Sequence, residues 1–162
     1  MTDLPEIIRL NLDPEVMRYV GEGKPRSPEI TEAGLKKLVK MALLYPGLGV
    51  WRADEIALKA FVGIFMIVYL PKTVEVEIGY RLIRSAWGRG FATEGASALL
   101  RHAFEGIELD RVIAVTHVEN LASQKVLRKI GLRDRGTANY YNKQVRYFVA
   151  ERTKFLAGIK AV

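Results

Sequence analysis

The chain has 162 residues, 49% of them hydrophobic and 27% charged, which fits one globular domain over residues 1–162 with a substantial core. It contains no cysteine, so disulfides, thiolate metal sites and thiol nucleophiles are excluded together; no run of about 18 apolar residues occurs, so no membrane span is expected. A net charge of +7 and a pI near 9.7 call either for an anionic partner or for a basic surface, and composition alone leaves both open.

Leu4 to Asn11 and then Asp13 to Met17 read as helical, with Asp13 as a cap and Pro14 as the first helical residue. Gly21 to Pro25 is a loop, and Ser27-Pro28-Glu29 opens a longer helix by the same device, running through Leu44 and closed by Pro46-Gly47. Gly49 to Ala53 and Ala60 to Leu70 read as an antiparallel pair around Asp54-Glu55. Phe61 to Leu70 is the longest apolar run, a buried central strand rather than a signal sequence. Val74 to Leu82 then alternates apolar and polar residues as a half-buried strand does, and Ala92, Ala96, Leu99, Leu100, Ala103 and Phe104 recur at helical spacing. Arg111 to Val118 is a fifth apolar run, a helix follows to Lys129, and Thr137 to Asn142 with Gln144 to Arg152 forms a hairpin around Asn142-Lys143. No repeat, low-complexity tract or linker divides the chain. The sum is a mixed sheet with four helices, an α+β or mixed α/β sandwich rather than a doubly wound fold.

Between the alternating strand and the helix that follows lies Trp87-Gly88-Arg89-Gly90-Phe91-Ala92-Thr93-Glu94. A strand that passes through a glycine turn into a helix N-terminus leaves a row of backbone N–H groups without intrahelical partners, which is the chemistry of a phosphate cradle. Glycine permits positive φ there and removes the Cβ that would hold a diphosphate away. A dinucleotide fingerprint is excluded because its third glycine position holds Thr93, and a mononucleotide P-loop because no Gly-Lys-Ser/Thr triplet occurs. Taken alone, the turn reads equally as a tight structural bend.

A second motif accompanies the first. The strand ending in Val118-Glu119-Asn120-Leu121-Ala122-Ser123 leads into a helix ending in Lys129-Ile130-Gly131-Leu132. This order of motifs resembles the GNAT superfamily of acyl-CoA-dependent N-acetyltransferases, and within it the ribosomal-protein-alanine acetyltransferase-like (RimJ/RimL-type) branch, over roughly Asp13 to Phe155. The resemblance implies the acyl-CoA N-acyltransferase fold, a mixed, mostly antiparallel sheet flanked by about four helices, and acetyl-CoA as cosubstrate. Gly88, Arg89, Gly90, Phe91, Ala92 and Thr93 would hold the coenzyme A diphosphate, the backbone of Leu82 and Ile83 would pair with the pantetheine arm in a splay between strands, and Asn120 and Ser123 would meet the arm or the sulfur. Ser85 stands where many members carry Gln or Arg, so the resemblance implies that one cofactor contact is either lost or taken by Arg84. Relatives of this branch begin with a strand that Met1 to Leu4 is too short to supply, so Gly49 to Ala53 is expected at an exposed edge that invites either pairing with another chain, as in a homodimer, or fraying.

Acetyl transfer to an amine needs a held thioester, a donor for its carbonyl oxygen, a neutral amine and a proton for the departing thiolate. Glu77, on the strand that ends at the turn, is the candidate base; it reads equally as a solvated strand glutamate like Glu75. Ser123 is the candidate acid that the family branch suggests, because Leu127 occupies the helix position where many relatives carry a tyrosine. Tyr140 and Tyr141 are further hydroxyls that read more readily as packing. Asn120 also reads as an ordinary N-cap with Ser123 at N3. His102 and His117, without cysteine, make no metal site, and none is expected. Trp51 and Trp87 read as core or pocket wall.

The resulting expectation is a cytoplasmic N-acetyltransferase that moves acetyl from acetyl-CoA to a primary amine, a protein N-terminus or a small amine, by direct attack in a ternary complex. The alternative is a catalytically weak or inactive, CoA-binding GNAT-like sensor or scaffold. Nucleic acid is not the expected partner, because aromatic residues are not interleaved with the basic ones.

Overall fold

A computed structural model describes residues 2–160. Three helices come first: α1 (Leu4–Leu12), α2 (Pro14–Met17) and α3 (Pro28–Leu44). Asp13 Oδ1 accepts the Glu15 and Val16 amides at 2.9 and 3.4 Å, and Ser27 Oγ accepts the Ile30 amide at 3.4 Å, so both caps act as their sequence requires, each followed by proline at the first helical position.

Six strands follow: β1 (Gly49–Glu55), β2 (Ala60–Tyr69), β3 (Val76–Leu82), β4 (Arg111–His117), β5 (Arg133–Tyr140) and β6 (Lys143–Glu151). They form one sheet in the order β1-β2-β3-β4-β6-β5, antiparallel throughout except for the parallel pair β3-β4. Between the strands run α4 (Phe91–Arg101), which widens into a π turn over His102–Gly106, and α5 (Leu121–Lys129), and the described chain closes with α6 (Arg152–Lys160).

The sheet is covered on both faces. Ile78 and Leu82 of β3, Val112 and Ala114 of β4, and Phe148 of β6 join Leu99, Leu100 and Phe104 from the α4 region and Leu127 of α5 in the main core. Ile7, Leu10 and Val16 pack with Ile64 against the other face. Gly95, in mid-α4 where glycine costs about 1 kcal/mol, is required by this packing: a Cβ there would lie 2.2 Å from the Phe65 ring.

The mixed architecture matches the sequence expectation, and several particulars differ. Six α-helices replace the expected four among the described residues, because α2 breaks from α1 at the Asp13 cap and α6 runs straight out of β6. No strand precedes α1 among the described residues, and β1 is an edge, as expected. The last hairpin turns at Tyr141-Asn142, both with positive φ of 54° and 58°, one residue earlier than predicted, and β5 begins at Arg133 with a register shift between Asp134 and Thr137. Among the described residues no helix is long and apolar enough to cross a membrane.

Candidate active site

Strands β3 and β4 meet in register at a single pair, Glu77 with Ile113. Beyond it β3 stays paired with β2 through Leu82, and β4 with β6 through His117, so the two strands part toward their C-terminal ends. Both then lead into helices whose N-termini flank the opening.

At the α4 end the chain passes through Gly88 and Gly90 with φ of 73° and 91°, and a Cβ at either would meet no atom within 4 Å. The first helical bond runs from the Glu94 amide to the Gly90 carbonyl at 3.1 Å, and no side chain caps the end. The amides of Phe91, Ala92 and Thr93 therefore face outward, next to exposed Gly88 to Gly90, in a form ready for an anion. The Arg89 guanidinium sits 4.9 Å over the Phe91 ring and pairs with Glu55, which fixes a positive charge at the rim. Arg84 stands exposed in the short 3-10 turn (Arg84–Ala86) that precedes it.

The backbone of β3 meets the opening differently from expectation. The Ile83 amide bonds Val62 at 3.0 Å and its carbonyl accepts Ala86 at 3.0 Å, so Ile83 has no backbone group free for a ligand arm. By the alternation of antiparallel pairing, Tyr80 and Leu82 are the residues whose backbone turns from β2 toward the gap. Of these, the Leu82 carbonyl already accepts the Trp87 indole N–H at 2.9 Å. Trp87, 47% exposed, and Trp51, 38% exposed, are surface residues, not core.

At the α5 end the situation is reversed. Asn120 Oδ1 accepts the Ser123 amide at 3.1 Å, so the N-cap reading of Asn120 holds. The Ser123 hydroxyl is left for another partner, and it accepts the Tyr80 hydroxyl at 3.3 Å, across the opening from β3 to α5. Burial pushes the Tyr80 phenol up from its ordinary pKa, with the Ser123 bond opposing. Leu127 is a core residue, so no hydroxyl comes from that position.

Glu77 lies where β3 and β4 last touch. Only 9% exposed, it is not a solvated strand glutamate; Glu75 itself is half-buried and paired with Arg111. Its carboxylate accepts the Tyr141 hydroxyl at 2.6 Å and a backbone bond from Val115. Burial outweighs both bonds and pushes its pKa up to about 7. Tyr141, although 50% exposed as a residue, has its hydroxyl pulled inward, and its own pKa rises through burial and the adjacent Glu77 charge.

The structure thus sets Leu82, Asn120, Ser123 and Gly88 to Thr93 around the opening where β3 and β4 part and Glu77 at their last contact, on the face of β3 opposite Tyr80, and adds Tyr80 and Tyr141, whose roles depend on partners far away in the chain. Alternation along β3 was the available signal for Tyr80, which shares the Ile78 and Leu82 face. His102 Nε2 meets the Gly47 carbonyl at 2.9 Å, and His117 stacks on Tyr19 with centroids 5.1 Å apart, so both are held structurally. Among the described residues no group of three or more His, Cys, Asp or Glu side chains is arranged to hold a metal.

Comparison with known proteins agrees with this geometry. The acetyltransferase (GNAT) domain matches residues 1–133. FsC-acetyl coenzyme A-N(2)-transacetylase from Aspergillus fumigatus is 34% identical over 133 residues, 77% of this chain and 56% of that protein, so the chain spans little more than half of that relative's length. Among solved structures, a GNAT-family acetyltransferase from Bacillus anthracis superposes with a TM-score of 0.76 at 25% identity, covering 94% of this chain and 90% of that one. Spermidine N-acetyltransferase from Vibrio cholerae, solved with CoA and spermine, superposes with a TM-score of 0.77 at 18% identity over 96% and 93% of the two chains, a likeness of fold.

Proposed function

We propose, from the premise that the chain belongs to the acetyltransferase (GNAT) domain family, that this acetyl-CoA-dependent N-acetyltransferase transfers acetyl directly to a primary amine in a ternary complex, with Glu77 as base and Ser123 as acid. The observation that carries the reading is the pairing of an uncapped, open helix N-terminus with a buried carboxylate at the two ends of one strand. Acetyl-CoA supplies the acyl group as a thioester. The amides of Phe91 to Thr93 and the cleared space over Gly88 and Gly90 would hold its diphosphate, with Arg89 and Arg84 adding positive charge at the rim. The Leu82 N–H, turned into the gap, would guide the arm.

The chain's remaining work is proton handling and alignment. Glu77, with a pKa raised to about 7, accepts the proton of the attacking amine, directly or through one water, and near neutral pH it is close to half ionised. Ser123 gives its hydroxyl proton toward the departing sulfur while Tyr80 donates to Ser123 in turn, so two hydroxyls stand in for the tyrosine that Leu127 replaces. Alignment in the cleft supplies the larger share, since good positioning is worth about 7–11 kcal/mol.

The acceptor is a primary amine, of a protein N-terminus or a small molecule; the Trp87 to Glu94 motif supports the RimJ/RimL-type branch and with it the N-terminus. Thermal denaturation with acetyl-CoA and thiol release with an amine panel test the proposal. Ligand at about 100 times its dissociation constant is expected to add roughly 2.7 kcal/mol. Stabilisation without thiol release by any amine would replace the enzyme with a CoA-binding sensor.

A further inference from the structure

On the face of β3 that carries Glu77, the next side chain beyond Gly79 is Arg81. Alternation sends it to the face opposite Tyr80 and Leu82, against α1 and α2. Its guanidinium is half-buried and donates from Nη1 to Asn11 Oδ1, with the Met17 sulfur at 3.9 Å. Asn11 is itself held by its Nδ2 bond to Thr31 Oγ1 at 3.2 Å, so the amide oxygen is fixed toward the arginine.

What Arg81 lacks is a carboxylate. Among the described residues it forms no ion pair; the charge acting on it is that of Arg26, a second cation, which adds to burial in pulling its pKa down to about 10. Arg26 is held in place because its amide bonds the Asn11 carbonyl at 2.9 Å and its guanidinium lies against Gly21, and its charge also reaches Tyr141. Lys143, just after the hairpin turn, donates to the Gly21 carbonyl at 2.8 Å and adds a third positive charge to the same loop. The acid on this face, Glu77, is already engaged by Tyr141. A half-buried guanidinium held by a neutral amide and facing a second cation leaves its remaining N–H donors for an anion, and its planar fork suits two carboxylate oxygens.

We infer that the acceptor amine carries a carboxylate, bound by Arg81 with Arg26 at its edge while the amine faces Glu77. This rests on the proposed acetyl transfer for where the amine goes, but not for the recognition itself. Four residues of β3 separate the two Cα atoms by about 13 Å, the span of an elongated small molecule or of a short peptide that carries both groups. A polyamine, cationic along its whole length, is disfavoured by the same three charges.

The test is calorimetric titration of the protein saturated with coenzyme A. The probes are ω-amino acids from glycine through aminohexanoic acid, each against its amide, and an acidic dipeptide against its amide. The expected result is a preference for acid over amide of about tenfold to a hundredfold at one chain length or in the dipeptide, the scale of a charge-assisted pair. Arg81→Met should collapse that preference, Arg81→Lys should restore part of it, and Arg26→Gln should reduce it if Arg81→Met does not fold. Equal binding of acids and amides, tighter binding of spermine, or an unchanged preference in both arginine variants would overturn the inference. If the preference stands but no amine releases thiol, the proposed transfer fails and the recognition site survives.

Discussion

The neck and the mouth of the cleft, at opposite ends of β3, are built on contrary rules. At the neck the acid is enclosed: Glu77 is buried beside Ile113 and bonded by Tyr141 and the Val115 backbone, and its acidity is reset by the loss of water. At the mouth the α4 end is open, with amides left unsatisfied and no Cβ near Gly88 and Gly90. The α5 end, close by, shows that openness is not forced by the fold, because Asn120 caps it. Enclosure tunes a proton; openness leaves a place for a ligand's charge.

Removing the tuned carboxylate should have the largest effect. Glu77→Gln is expected to lower turnover by about a hundredfold or more, the usual worth of a general base, with acetyl-CoA affinity unchanged in calorimetry. It should also alter stability in a way that only the neck explains. A carboxyl whose pKa is about 7 when folded and 4.5 in its ordinary state holds its proton more tightly folded, so the wild-type protein loses stability as pH rises through that window, on the order of 3 kcal/mol in all. The melting temperature of the glutamine variant should fall less between those pH values; parallel curves would mean that Glu77 is not enclosed in solution.

Gly90→Val probes the mouth. At a φ of 91° a β-branched residue is strained, and its side chain enters the space left for the diphosphate. Acetyl-CoA affinity should fall about tenfold to a hundredfold while the rate at saturation falls much less; unchanged affinity would show that the turn is only a bend.

Tyr141→Phe should sharpen the contrast more gently. The phenol bond lowers the Glu77 pKa, so its removal lets burial push the carboxyl above 7. The acid limb of the rate profile should move about one unit toward higher pH, the worth of one hydrogen bond to a charge, with a fewfold loss of rate at neutrality. A limb that stays in place would remove Glu77 as the titrating group. The smallest effect belongs to the capped helix: Asn120→Ala should cost about 1 kcal/mol of stability in denaturant unfolding. A large loss of acetyl-CoA affinity alongside would mean that Asn120 serves the ligand as well as the helix.

Local chemistry was legible in the sequence, and long-range consequence was not. The caps at Asp13 and Ser27, the buried run of β2 and the glycine turn into α4 each follow from a few adjacent residues. The state of Glu77 could not, because the tyrosine that encloses it is 64 residues away and arrives through a hairpin whose turn is set by two residues of positive φ. α6 lacked any cap or loop to announce it, as Arg152 follows β6 without a break.

The lone residue pair between β3 and β4 has a mechanical meaning. Three strands lie on one side of that seam and three on the other, so the sheet is two leaflets buttoned once along the backbone and otherwise held by side chains and the helices laid across them. Whatever fills the cleft touches both leaflets at the fabric's weakest stitch, which makes occupancy and the cohesion of the two halves a single event.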